Sequence, residues 1–314
     1  FHGLNPMDIT RAQEAGIAPS RLHTPAGGLT TYAQASVALG LAIFPTVFNT
    51  INLGIMIWFT KLYVKAVRWL MPAHKRDKED EFSLKFIGRG ILKASELDIT
   101  QAQKEIAVYG ERVKRMLDMA RDMIHTDNND ERYVKVYSRI EKYEDISDRM
   151  EIEIGKFLNH VAEGRLSPEG KMRVAGMLRV ISEIESIADG CYNIAKTLDR
   201  RDRCHVKLDG RIIHEIDNMY DLVEEAMDNM LELLREMETP SDSLIIKAYN
   251  KEREINNYRN RLRDANIDNI NNHLYDYQEG IFFMDLIGEA EKLGDYMINV
   301  VEGVKYQFKA DADA

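Results

Sequence analysis

An internal repeat constrains this chain more than any other feature of its sequence. The stretch Glu183–Ile194 recurs 106 residues later as Glu289–Val300. The polar positions of the two copies correspond inside matching apolar frames: Glu185, Asp189 and Asn193 with Glu291, Asp295 and Asn299. Because helical residues four apart share one face, each copy predicts a helix that carries an acidic ridge. The match of a whole polar and apolar frame indicates that a helical unit was duplicated.

The rest of the carboxyl-terminal part extends this repeat to two triplets of helices. Apolar residues at helical spacing and only seven prolines in 314 residues predict an all-α fold. We expect helices over about 100–124, 131–163, 168–199, 211–237, 241–272 and 278–308. Start signals are a capping box at Thr100 and Gln103, the Ser167-Pro168 pair and the Thr239-Pro240 pair. Two tandem three-helix repeats therefore occupy residues 100–200 and 209–309.

The helices of the two triplets align at nearly constant offsets. Glu105 matches Glu215 at an offset of 110 residues. In the second helices, Glu144 matches Glu252 and Asp148 matches Asn256, both at an offset of 108 residues. The duplication thus covers all three helices of the unit.

A long uncharged segment precedes the repeats. Residues 35–59 contain no charged side chain and would span about 37 Å as a helix, enough to cross a hydrocarbon core. We interpret residues 31–72 as a final transmembrane helix with an interfacial extension, although a buried helix of a soluble protein has the same composition. Asn49 and Asn52 form a polar stripe that should face other helices, and Pro45 should bend the segment.

The charges after the uncharged stretch orient this helix. Six basic residues follow residues 35–59, namely Lys61, Lys65, Arg68, Lys75, Arg76 and Lys78. By the positive-inside rule, the carboxyl side is cytoplasmic and the membrane is the plasma (inner) membrane. Residues 1–30 are predicted to be an irregular loop segment without a signal peptide, and residues 73–99 a charged linker.

Composition excludes several classes of function. A net charge of −10 argues against a nucleic-acid partner, since no basic face is available to neutralise phosphates. Two cysteines do not form a disulfide framework and fit a reducing compartment. The sequence contains no phosphate-binding glycine loop, nucleophile elbow or paired-cysteine metal motif, so we expect no enzyme activity.

The acidic ridges have two interpretations. In one, they are solvated faces of the bundle. In the other, Glu185 and Asp189 face Glu144 and Asp148 of the second helix, and the four carboxylates hold a divalent metal or iron. Asp122 and His125 resemble half of a di-iron ligand set, but no Glu-x-x-His pair accompanies them. A metal-carboxylate oxidase is therefore the weakest alternative.

The acidic third helices resemble the signature helices of the PhoU family, and residues 141–151 resemble its second helix. The stretch 42–49 is similar to the last-span motif of bacterial sodium-dependent phosphate cotransporters, some of which carry a PhoU-like domain. Pro45 stands where that motif usually has a histidine. The resemblance covers nearly the whole chain. It implies that the chain is the carboxyl-terminal part of such a cotransporter, which transports sodium and phosphate.

The resemblance also implies a metal-binding set on the second and third helices: Glu144, Asp148, Glu185, Asp189, Glu252, Glu291 and Asp295. Asn256 replaces the usual acid in the second repeat, which weakens that half of the set. The phosphate-binding motifs of the transporter core are not in this chain. The candidate partners are the membrane, the rest of the transporter's membrane domain and a second copy of the chain. The alternative to a cotransporter is a membrane-tethered adaptor in phosphate signalling.

Overall fold

The computed structural model describes residues 43–54, 81–87, 96–126, 130–236 and 240–308. Every regular element in these ranges is a helix, which confirms the predicted all-α class for the described part of the chain. The chain divides into two compact units, residues 1–75 and residues 76–314.

The first unit is described over one helical segment, residues 43–54. Asn49 and Asn52 are both exposed on it, and Thr50 Oγ1 donates a hydrogen bond to the Thr46 carbonyl at 2.7 Å. The remainder of the predicted transmembrane helix, and the predicted loop 1–30, lie outside the described residues. Within the ranges given above, no helix has both the length and the apolar character needed to cross a membrane.

The described part of the second unit contains six helices. They are α1 (Glu96–His125), α2 (Glu131–Ala162), α3 (Pro168–Arg203), α4 (Gly210–Arg235), α5 (Asp242–Asn271) and α6 (Tyr277–Gln307). Each end lies within four residues of its predicted position. The hydrophobic periodicity of the chain was therefore sufficient to locate every helix of both triplets.

Local capping explains most of the helix starts. Ser167 caps α3 by accepting a hydrogen bond from the Gly170 amide at 2.9 Å, with Pro168 at the first helical position, as predicted. The predicted capping box at Thr100 is wrong. Helix α1 begins one turn earlier, at Glu96, and Thr100 Oγ1 donates back to the Glu96 carbonyl at 3.1 Å. The cap of α5 is Ser241, which follows the predicted Thr239-Pro240 signal.

The two third helices, α3 and α6, form the centre of the six-helix unit and make its most extensive contact. Their backbones approach closely at Gly176 and Gly303. A Cβ added to Gly176 would lie 2.8 Å from the Gly303 carbonyl oxygen, so only glycine fits this crossing. Helices α1 and α4 also contact each other, while α2 and α5 pack on the other two helices of their own triplets. The acidic ridges lie on this outer pairing of second and third helices.

A short non-helical segment, residues 81–87, packs against α1. Phe82, Leu84 and Ile87 contact the hydrophobic core. The fully buried Glu105 accepts hydrogen bonds at its Oε2 from three consecutive backbone amides, those of residues 85, 86 and 87, at 2.8, 2.6 and 3.3 Å. Consecutive amides that converge on one oxygen form an anion-binding nest, here filled by a side chain of the same protein. Glu105 thus anchors the part of the predicted linker that the structure describes.

Candidate functional site

The first repeat places five carboxylates on the facing surfaces of α2 and α3. Glu144, Asp148 and Glu151 follow one another along α2 at helical spacing, while Glu185 and Asp189 lie one turn apart on α3. We call this group the first ridge. Beneath it, the buried Tyr109 of α1 shares a hydrogen bond of 2.7 Å with Ser147 Oγ. Burial raises the pKa of Tyr109, so its hydroxyl, which lies beneath the first ridge, stays neutral. It offers no positive charge to the carboxylates.

Glu185 is the most strongly perturbed carboxylate of the first ridge. Partial burial, followed by repulsion from Glu151, Asp148 and Asp189, raises its pKa to about 7. Both effects act in the same direction because each disfavours the charged form. Glu185 therefore lies close enough to Glu151 and Asp148 of α2 to be repelled by both.

Glu144 lies farther along the same ridge. Partial burial, followed by repulsion from Asp148, Asp145 and Asp189, raises its pKa, while Lys196 opposes the shift. Asn193 extends the ridge by donating to Asp189 Oδ2 at 3.3 Å. Lys196 thus offsets part of the repulsion at Glu144, and the first ridge, with five acids, carries an excess of negative charge.

The second repeat presents a smaller group, which we call the second ridge: Glu252 on α5 with Glu291 and Asp295 on α6. Here Arg259 Nη2 lies 2.6 Å from Glu291 Oε1, and the Glu291 side chain is only 13% exposed. Asn256 donates its amide to Glu252. Partial burial and the neighbouring carboxylates raise the pKa of Asp295, while Arg259 lowers it. The charge of the second ridge is thus partly compensated by its own Arg259.

The two ridges differ at two aligned positions. The offset of 108 that relates Glu144 to Glu252 also relates Asp148 to Asn256 and Glu151 to Arg259. The first repeat thus has two acids where the second repeat has an amide and a compensating base. Glu151 and Arg259 are not among the site residues predicted from the sequence, although the same offset relates them.

Asn299, the counterpart of Asn193, joins the contact between the two third helices, because its Nδ2 donates to Glu183 Oε2 on α3 at 3.1 Å. His125, which with Asp122 resembled half of a di-iron ligand set, lies at the end of α1 with its Nε2 2.8 Å from Asp217 Oδ1 of α4.

Among the described residues, no three His, Cys, Asp or Glu side chains are arranged to hold a metal ion as they stand. The donor chemistry of the first ridge fits a hard cation, because its five carboxylate side chains repel one another. The second ridge does not fit, since Arg259 already supplies the positive charge.

Known proteins resemble this chain in its helical repeats. The family model described as "PhoU domain" matches residues 106–198, which lie within α1–α3. No curated protein sequence matches the chain.

Two solved structures share the fold of the six-helix unit. The first is that of PhoU from Pseudomonas aeruginosa, with a TM-score of 0.60 and 12% identity, covering 68% of this chain and 98% of that one. The second is that of the phosphate transport system regulatory protein PhoU from Streptococcus pneumoniae, with a TM-score of 0.57 and 16% identity, covering 68% and 97%. The expected PhoU-like architecture is therefore confirmed for the helical bundle.

Proposed function

We propose that this chain regulates phosphate uptake at a membrane, with the six-helix unit as its regulatory part. The observation that carries this proposal is the PhoU domain match over residues 106–198, together with the shared fold. One of the similar structures is titled a phosphate transport system regulatory protein. No catalytic residue is assigned, because regulation of this kind needs binding and conformational change rather than covalent chemistry.

Membrane attachment through residues 31–72 is the second part of the proposal. The helical segment 43–54 exposes large apolar side chains, with Phe44, Phe48 and Leu53 at 70%, 56% and 61%. Apolar surface of this kind is typically covered by lipid or by other helices. The basic residues that follow support the proposal that the six-helix unit lies on the cytoplasmic side of the plasma membrane.

Two forms of this function follow. In the first, the chain is the carboxyl-terminal part of a sodium-dependent phosphate cotransporter, and the polar stripe of Asn49 and Asn52 supports it by favouring neighbouring helices. In the second, the chain is a tethered adaptor that docks on a separate transporter. The dependence of phosphate uptake on sodium distinguishes the two forms. Only the first form predicts that purified full-length protein in vesicles takes up phosphate when sodium is present outside.

The regulatory role is tested in cells that depend on this protein, by comparing the intact protein with one that lacks residues 96–308. We expect that phosphate uptake by the shortened protein no longer falls when phosphate is abundant. An unchanged response to phosphate would overturn the proposal. Membrane fractionation of both proteins is the control, because the two must be inserted equally.

The first ridge is further proposed to hold a divalent cation or iron ion when the protein is loaded. Glu144, Asp148, Glu185 and Asp189 would supply oxygen ligands, and Glu151 adds a fifth acid beside them. A bound cation would neutralise the repulsion that raises the pKa of Glu185. The proposal does not extend to the second ridge, where Glu252, Glu291 and Asp295 already share Arg259 and Asn256.

A further inference from the structure

A pocket lies between α4 and α5 of the second repeat, at the amino end of α4. Its volume is about 370 Å³, which lies within the usual range for binding sites. Buried apolar side chains line it together with polar ones, namely Ile212, Leu262 and Phe283 with Arg211, His214 and Glu215. The pocket therefore offers apolar surface beside side chains that can form hydrogen bonds.

The pocket exists because the second repeat has smaller or more polar side chains than the first at this place. The offset of 108 between the second helices puts Ala265, which lines the pocket, at the position of Phe157. In the first repeat Phe157 packs against the hydrophobic core. The same offset puts Asn269 of the pocket at the position of the buried Val161. A methyl group in place of a phenyl ring leaves neighbouring apolar atoms without the contacts that a ring would supply.

The first repeat already holds a peptide segment at the corresponding surface. Residues 81–87 lie there without helical structure, and their backbone amides at positions 85, 86 and 87 donate to Glu105 Oε2. The aromatic ring of Phe86 lies 6.0 Å from Lys104 Nζ. This surface of a triplet thus binds a non-helical segment through its backbone amides and an aromatic side chain.

The residues that hold the segment have counterparts in the pocket. The offset of 110 between the first helices relates Lys104 to His214 and Glu105 to Glu215. Tyr258 donates its hydroxyl to Glu215 Oε2 at 2.5 Å. A carboxylate has about four acceptor positions, so Glu215 can still accept backbone N–H groups at its other oxygen. Its negative charge complements amide donors in the same way as that of Glu105.

We propose that this pocket binds an extended peptide segment of a partner protein through an aromatic side chain. The ring would fill the space beside Ala265, and backbone N–H groups would donate to Glu215. Residues 81–87 are not the occupant, because Glu105 holds them in the first repeat. The proposal does not depend on the role in phosphate uptake, since it rests on the comparison of the two repeats.

The test is a fluorescence anisotropy titration of the full chain against a labelled peptide with the sequence of residues 81–87, Glu-Phe-Ser-Leu-Lys-Phe-Ile. We expect saturable binding that Ala265→Phe weakens at least tenfold, because the new ring would occupy the pocket. Glu215→Gln should weaken binding about three- to tenfold, because the charged acceptor is lost. Ala265 is partly exposed, so the first variant should fold normally, which thermal unfolding checks.

The matched control is Ala162→Phe, which adds the same ring at an exposed position at the carboxyl end of α2. Equal weakening by Ala162→Phe and Ala265→Phe would overturn the proposal, and so would the absence of saturable binding to the natural protein. Binding that Glu105→Gln strengthens and Ala265→Phe leaves unchanged would place the peptide in the first repeat. That result would overturn the proposal as well.

Light scattering without the peptide distinguishes a partner protein from a second copy of the chain. We expect Ala265→Phe to leave the oligomeric state of the protein unchanged. If the natural protein is a dimer and Ala265→Phe converts it to a monomer, a second copy occupies the pocket. The assignment to a partner's segment would then be overturned.

Discussion

Arg259 Nη2 lies 2.6 Å from Glu291 Oε1, at the repeat position that Glu151 holds in the first triplet. The second ridge thus contains a basic side chain, that of Arg259, whereas the first ridge has a further acid, Glu151, at the same position. Because of this difference, substitutions can test the two ridges separately.

Arg259→Gln should destabilise the folded protein by about 1–2 kcal/mol, because it leaves the mostly buried Glu291 carboxylate without its partner. Urea denaturation measures the free energy of unfolding. The matched control is Arg253→Gln on the same helix, whose exposed guanidinium bonds only the side chain of Asn250 in the described structure. The pairing would have no energetic importance if the two variants lost equal stability.

Glu151→Arg should give the first ridge the compensating base that the second ridge has in Arg259. We expect the free energy of unfolding to rise by about 1 kcal/mol, because the new guanidinium replaces a repelling charge beside Glu185. If the first ridge holds a cation, Mn²⁺ should raise the melting temperature of the natural protein and not that of the variant. A response to Mn²⁺ that persists in the variant would place the bound ion elsewhere.

The stability of the protein should fall as the pH rises from about 5 to about 8. The pKa of Glu185 is about 7 in the folded protein and 4.5 as its ordinary value. Between these values the folded state retains a proton that the unfolded state has released, so a rise in pH favours unfolding. Glu185→Gln should make the loss in the free energy of unfolding between these pH values smaller by about 1 kcal/mol. The expected effect is this small because solvent screens a partly exposed carboxylate.

Urea denaturation at both pH values checks this difference. Glu153→Gln is the control, because Glu153 is only partly buried on α2 and pairs with Lys156. The same pH dependence in the natural protein and in Glu185→Gln would show that Glu185 does not titrate in this range.

Glu105→Gln should release residues 81–87 from the bundle. The neutral amide is a weaker acceptor for the three backbone N–H groups, so we expect a loss of about 1.5–3 kcal/mol. Hydrogen exchange at the amides of residues 85–87 should accelerate, which mass spectrometry detects. The aligned variant Glu215→Gln, which removes the charged partner of Tyr258, should leave exchange in residues 81–87 unchanged. Slow exchange in Glu105→Gln would contradict the anchoring role.

Gly176→Ala should destabilise the bundle by about 1–3 kcal/mol, because the new methyl group would meet the Gly303 backbone and the Gln307 side chain. Gly288→Ala on α6 is the control, since a Cβ there meets nothing within 4 Å. A helical glycine in open space should gain about 0.5–1 kcal/mol on the same substitution. Thermal unfolding would therefore show shifts of opposite sign, and equal shifts would contradict the close crossing of α3 and α6.

Local signals made the helices predictable from the sequence. Apolar spacing located all six helices of the repeats, and Ser167 with Pro168 located the start of α3. The predicted cap at Thr100 was wrong because a threonine one turn inside a helix can have the same sequence context as a cap. In the structure, Thr100 donates its hydroxyl back to the Glu96 carbonyl. The acidic ridges were predictable for the same reason as the helices. Their spacing is a property of one helix at a time.

By itself, the sequence determined the helical class, the duplication and the acids that each helix carries, because all three follow from the order of residues along the chain. Tertiary structure alone decided which charges meet. It brought Arg259 to Glu291 and residues 85–87 to Glu105. The physical reason is that a charge acts through distance, burial and the neighbours on other helices, none of which is encoded in the spacing along a single helix.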